Sequence, residues 1–152
     1  AEDDQGGKII SEIGYTIDNT SKTRALFEIN KGVGGDVKVD VNSKMTNEQR
    51  RVDFRNMIYI ADGPSDVPAF SVVKGNGGAT FAIYPKGNNK AFKQVEQLRE
   101  DGRIDMFAEA DYSDGTTASM WICNKIQEFA ERIKKEEQAK RGNLSAIPHH
   151  LV

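Results

Sequence analysis

Cysteine is close to absent from this chain. Cys123 stands alone among 152 residues, which excludes an internal disulfide and fits a reducing compartment. It falls within a helical apolar pattern, so it reads as a packed core thiol, not as a nucleophile. No apolar run approaches the roughly 20 residues that a membrane-spanning helix needs. The opening Ala1-Glu2-Asp3-Asp4-Gln5-Gly6-Gly7 is too polar and acidic to act as a secretory signal. An excess of one charge is lacking as well. A net charge of −2 gives no footprint for nucleic acid or for an anionic membrane. Histidine occurs only as the adjacent pair His149-His150, in a polar tail where it reads as noncatalytic. There is no internal repeat and no low-complexity tract. The expectation is one cytoplasmic domain, long enough for a real core.

What is present is an alternation of two periodicities. Lys8 to Ile17 is rich in β-branched residues and reads as a strand or extended arm. Asp18-Asn19-Thr20-Ser21 supplies turn and N-cap chemistry for a helix from Lys22 to Lys31, with Ala25, Leu26 and Ile29 as its buried stripe. Gly32 to Asp36 is a break. Thr46 to Arg51 reads as a short helical turn in which Thr46 and Gln49 have capping-box spacing. Strands are predicted over Met57 to Ala61, Ala79 to Tyr84 and Ile104 to Ala108. Helices are predicted over Asp66 to Lys74, Lys90 to Asp101 and Thr117 to Arg141. The last of these carries Trp121 or Ile122, Ile126, Phe129 and Ile133 at helical spacing. From Gly142 the tail reads as loose. Strands alternating with helices imply an α/β fold, a parallel sheet with helices on both faces.

The chemistry concentrates in Ala61-Asp62-Gly63-Pro64-Ser65-Asp66-Val67-Pro68-Ala69-Phe70. An apolar strand delivers Asp62 to its C-terminal tip, a Gly-Pro break follows, and Asp66 stands about one turn on at a helix start. Two carboxylates held so make a hard oxygen site suited to Mg²⁺. The tip of a strand in an open α/β sheet is also where ligands usually bind. A plainer reading has Asp66 merely capping the helix.

This stretch resembles the fourth motif of the haloacid dehalogenase superfamily of phosphohydrolases, Gly-Asp-x-x-x-Asp, with Ala61 in place of the leading glycine. The resemblance spans roughly Ile10 to Phe129. It implies a Rossmann-like three-layer sandwich, here an incomplete parallel sheet with flanking helices. It further implies a Mg²⁺-dependent phosphatase acting on a small phosphorylated metabolite. Asp62 and Asp66 carry over as the metal pair, with Asp62 the direct ligand and Ser65 helping to position the loop. Lys22, which follows a strand-like segment and opens a helix, fits the position of the lysine that offsets phosphoryl charge. Lys31, at the far end of that helix, fits less well.

The family's nucleophile motif, Asp-x-Asp-x-Thr/Val, is not found in these residues. Its nearest imitation, Asp18-Asn19-Thr20-Ser21-Lys22, lacks the second Asp and puts Lys where Thr or Val belongs. Asp36 and Asp40 lack the spacing. The resemblance therefore makes residues 1–141 the C-terminal portion of a larger hydrolase domain, inactive by itself, with an open sheet edge through which it would associate with another copy or with its missing part. The alternative is a noncatalytic, phosphatase-like module that binds Mg²⁺ or protein. P-type transport ATPases carry the similar Gly-Asp-Gly-x-Asn-Asp-x-Pro, but Ser65 stands where that Asn would. Two further signals read as bland. Lys74-Gly75-Asn76-Gly77-Gly78 lacks dinucleotide-loop spacing and reads as a turn. Glu109 to Asp114 reads as a solvated turn after a strand, near the rim of any pocket there.

Overall fold

A computed structural model describes residues 16–33, 42, 44–46 and 49–145. Most of the predicted strand from Lys8, as well as Asp36, Asp40 and the histidine pair, lies outside the described residues. The chain divides into two compact units, the first ending at Arg51 and the second beginning at Val52.

In the first unit, helix α1 spans Lys22–Lys31, as the turn and periodicity predict. The Asp18 carboxylate gathers the turn before it, accepting from the backbone N–H of Thr20 and Ser21 and from both their hydroxyls at 2.8–2.9 Å. Those bonds lower its pKa to about 2. The helix stops at Gly32, which adopts the left-handed conformation at φ 74° that glycine enters without steric cost. Ala25 and Leu26 are buried, but Ile29 is 52% exposed. The neighbouring Asn30 is buried in its place, accepting from Arg50 Nη1 at 2.9 Å through its side chain and from Arg51 N at 3.0 Å through its carbonyl. A buried amide with its own partners was not visible in the apolar pattern. At Thr46 the capping-box spacing does form a bond, since its N–H donates to Gln49 Oε1 at 3.1 Å.

The second unit is α/β. Strands β1 (Ile58–Ala61), β2 (Ala79–Tyr84) and β3 (Met106–Glu109) form a parallel sheet in the order β1-β2-β3. The register places Ala61 beside Ala82, and Tyr84 beside Glu109. Between the strands run α2 (Val67–Gly75) and α3 (Asn89–Glu100), and α4 (Thr117–Ser145) follows β3. Two one-turn 3₁₀ helices, Phe54–Asn56 and Pro64–Asp66, bracket β1.

Alternate strand residues feed different layers. Phe70, Ala82, Val95, Leu98 and Ile104 form one core with Tyr59, Ala61, Tyr84 and Phe107, covered by α2 and α3. Phe81, Ala108 and Ala118 form the other with Ile83, Met106 and Trp121, covered by α4. Helices on both faces are what an all-parallel sheet requires. The close of α2 explains one of the glycines read as a turn. A Cβ at Gly78 would lie 2.6 Å from Val73 Cγ1 and press on the Phe54 carbonyl oxygen.

The long helix departs from its sequence reading in three ways. Cys123 is exposed, and Ile126 and Ile133 are 55% and 40% exposed. Ala118 and Trp121 meet Phe81, so Trp121 and not Ile122 takes the first place of the stripe, and Arg132 and Glu136 reach the 3₁₀ turn before β1. Arg132 Nη2 donates to Arg55 O and Asn56 Oδ1, both at 2.6 Å, and Glu136 pairs with Arg55 at 2.7 Å. Polar ties therefore hold turns that apolar periodicity would have assigned to a core. The helix also continues through 142–145, which the sequence placed in the loose tail. At 29 residues it is roughly 44 Å long, far beyond the reach of four-residue strands. Among the described residues, no helix is long and apolar enough to cross a membrane.

The start of β3 is tied to the start of β2 through fully buried Thr80. Asp105 Oδ2 accepts from Thr80 N at 2.8 Å and from its hydroxyl at 3.0 Å, while Lys74 pairs with Oδ1 at 3.2 Å. Burial pushes the Asp105 carboxyl up, but the Thr80 and Lys74 bonds outweigh it and hold the pKa below the ordinary value. Asp105→Ala is expected to cost about 1–3 kcal/mol in urea unfolding at neutral pH, because it strands buried donors on Thr80. A folded pKa below the unfolded one means this contribution is complete above about pH 3.9. It is lost as pH falls through the folded value, so the gap between wild type and variant should close in acid.

Candidate functional site

The two sequence-predicted carboxylates sit where β1 ends. Asp62 is the first residue beyond the strand and its side chain is exposed, at the carboxyl edge of the sheet. Gly63 turns the chain in extended backbone, and Pro64 opens the 3₁₀ turn that leads through Ser65 to Asp66. Asp66 is the residue before α2 but makes no side-chain capping bond. It is 1% exposed, and its Oδ1 accepts the Tyr59 hydroxyl at 2.8 Å. The capping role that the plain reading gave Asp66 is therefore not what the structure shows.

Tyr59 was missed in the sequence. It belongs to the same strand, two residues before Ala61, and so faces the α2 layer, where its ring meets Phe70 edge-on at 5.4 Å. Burial, then the bond to Asp66 and its charge, push the phenol pKa up. The phenol thus stays protonated as a donor and fixes Asp66 from the strand side. The spacing of Tyr59 and Asp66 across a strand and a turn gives no periodic signal. Only the knowledge that Asp66 is buried would have pointed to its partner.

The pair is therefore divided into an accessible carboxylate, Asp62, and an enclosed one, Asp66. Ser65 is exposed between them. Lys22 opens α1 in the first unit, and Lys31 closes it. Among the described residues, no group of three or more His, Cys, Asp or Glu side chains is placed to hold a metal ion.

β1 has β2 on one side and, among the described residues, no strand on the other. Ile60, on the face opposite α2, is 36% exposed.

A concavity lies at the same edge of the sheet, over the ends of β2 and β3. It has a volume of about 300 Å³ and is lined by Tyr84, Glu109, Asp111, Thr116 and Thr117 with the apolar floor of Phe107 and Ala108. The run after β3 is a turn, as the sequence suggested. Asp111 accepts from the backbone and hydroxyl of Ser113, and the Thr116 hydroxyl lies 2.7 Å from the Asp111 carbonyl and 2.8 Å from that of Ser113.

Comparison with known proteins finds a relative in Borreliella burgdorferi, an uncharacterized protein 40% identical over 122 residues. The match takes in 78% of this chain and 40% of the relative, so the chain spans well under half of that protein's length. No family model matches the sequence. No solved structure matches it.

Proposed function

We propose that this chain is the C-terminal part of a Mg²⁺-dependent phosphohydrolase of the haloacid dehalogenase type, acting in its complete form on a small phosphorylated metabolite. The observation that carries this reading is the placement of Asp62. It is an exposed carboxylate at the carboxyl end of β1, with Asp66 anchored one turn later and, among the described residues, no strand on the edge of β1 away from β2. Strands added to that edge would make β1 an interior strand and put Asp62 near a reversal of strand order, where open α/β sheets bind ligands. The length of the relative leaves room for such strands.

The donor set suits the ion. Mg²⁺ prefers oxygen ligands in octahedral geometry and is usually held by one or two carboxylates with water and phosphate completing its shell. Asp62 supplies a carboxylate that is free to turn toward it, while Tyr59 holds Asp66 in one orientation behind the loop. When bound, the ion neutralises charge on a phosphoryl group. Lys22 would add a second positive charge. The nucleophilic carboxylate and the strand bearing it belong, on this reading, to residues outside this chain. In the isolated chain, the edge of β1 and the exposed face of Ile60 would favour association with a second copy.

Hydrolysis of an aryl phosphate tests the reading. The chain alone is expected to give no Mg²⁺-dependent turnover, and turnover should appear when the residues preceding it in the longer protein are supplied, fused or in trans. Turnover by the chain alone would show that a nucleophile is already present. No turnover by the longer protein would favour a noncatalytic module.

A further inference from the structure

The loop that carries Asp62 is closed into a ring by a side chain that is not itself a candidate ligand. We propose that Tyr59 is a positioning residue for Mg²⁺: its hydroxyl, acting through Asp66, sets the Asp62 loop in its binding conformation before the ion arrives. The role rests on the metal reading of Asp62 and goes beyond it, because part of the Mg²⁺ affinity then belongs to a phenol that need not touch the ion.

The ring can be traced atom by atom. Asp62 leaves β1 directly, and the chain then turns through Gly63, Pro64 and Ser65 to Asp66. There the Asp66 carboxylate is drawn back to the strand, its Oδ1 accepting the Tyr59 hydroxyl at 2.8 Å. The Asp66 N–H donates to the Gly63 carbonyl at 3.1 Å and closes the 3₁₀ turn between them. The stretch bearing Asp62 is thus held at both ends by one strand. Packing does little to hold its middle, since Asp62, Pro64 and Ser65 are all exposed. The tie itself is enclosed. Asp66 is 1% exposed, Tyr59 is half-buried, and the Tyr59 ring meets Phe70 edge-on one helical turn beyond Asp66.

A hydrogen bond to an ionised acceptor is among the stronger ones, and it strengthens further where water is excluded. Mg²⁺ demands near-ideal octahedral geometry, so a ligand loop that wanders binds it poorly. A loop fixed in advance spares the ion the cost of ordering it. Partners that orient a ligand from behind influence affinity in this way without contacting the metal. Tyr59→Phe isolates the effect, because it removes the donor and keeps the ring against Phe70.

The test is a Mg²⁺ titration of the full chain, read by backbone amide shifts of the Asp62 loop, in wild type, Tyr59→Phe, Asp66→Ala and the double variant. Tyr59→Phe is expected to raise the Mg²⁺ Kd about tenfold, the lower end for losing a group behind a metal ligand, and to leave the amides of β2 and β3 in place. Added to Asp66→Ala it should raise Kd no further, since the hydroxyl has then lost the group through which it acts. Asp105→Ala loosens the fold at the opposite edge of the sheet and should bind Mg²⁺ as wild type does, which separates positioning from lost stability. An unchanged Kd in Tyr59→Phe, a further loss on top of Asp66→Ala, or equal weakening in Asp105→Ala would overturn the proposal and leave the metal reading standing. No saturable shift in wild type would remove that reading and the proposal with it.

Discussion

Phe81→Ala is expected to destabilise the second unit by about 3–5 kcal/mol, the range for removing a buried phenylalanine from a packed core. Phe81 is on the central strand, fully buried, with Trp121 stacked on it at 4.9 Å. Its other neighbours in that layer are Ala108 and Ala118, too small to close over the space, with Ile83 and Met106, the register partner of Phe81. How far Met106 moves into the space sets where in that range the loss falls. Urea unfolding followed by tryptophan fluorescence measures this directly, since Trp121 is the only tryptophan and reports from the site itself. A loss below about 1 kcal/mol would mean that α4 does not pack on β2 as described.

Asp62→Asn should have the second large effect, on activity and not on folding. On the proposed reading, in the longer protein it is expected to lower Mg²⁺-dependent turnover about 100-fold or more. Changing a group that merely orients a metal ligand costs 10–100-fold, and a direct ligand should cost at least the upper figure. The side chain is exposed, so its loss removes no packing. The urea midpoint of the variant should match wild type within error. Reduced turnover together with an equally reduced stability would assign Asp62 to the fold and not to the metal.

How much of this was legible depends on which force set each feature. β1, β2, α1, α2 and α3 followed from periodicity and punctuation because burial on one face dictates them, and β3 followed with its start at Met106 in place of Ile104. The Asp62 loop was legible because a strand, a Gly-Pro break and a helix start are all local signals. Asp66 was found as a residue, but its tie to Tyr59 was not, since that bond depends on burial that no spacing encodes. The outward position of Ile126 and Ile133 on α4 was hidden for a related reason. Lys125 and Arg132 set their charged ends over the rings of Trp121 and Phe129 on the same helix, and Arg132 also reaches Asn56. Trp121, one of the two residues offered for the first place of the stripe, is packed on Phe81, while Ile126, Ile133 and Cys123 lie outside. Glu109 looked like the start of a solvated turn. Only its pairing with Tyr84 across two strands shows that it lines a cavity.

The most direct test of the proposed metal role is a Mg²⁺ titration of this chain, wild type beside Asp62→Asn, read by backbone amide shifts into the millimolar range. Saturable shifts confined to the stretch from Asp62 to Val67 are expected in wild type and none in the variant. Shifts of equal size in both, or an unmoved Asp62 loop at saturating Mg²⁺, would contradict it.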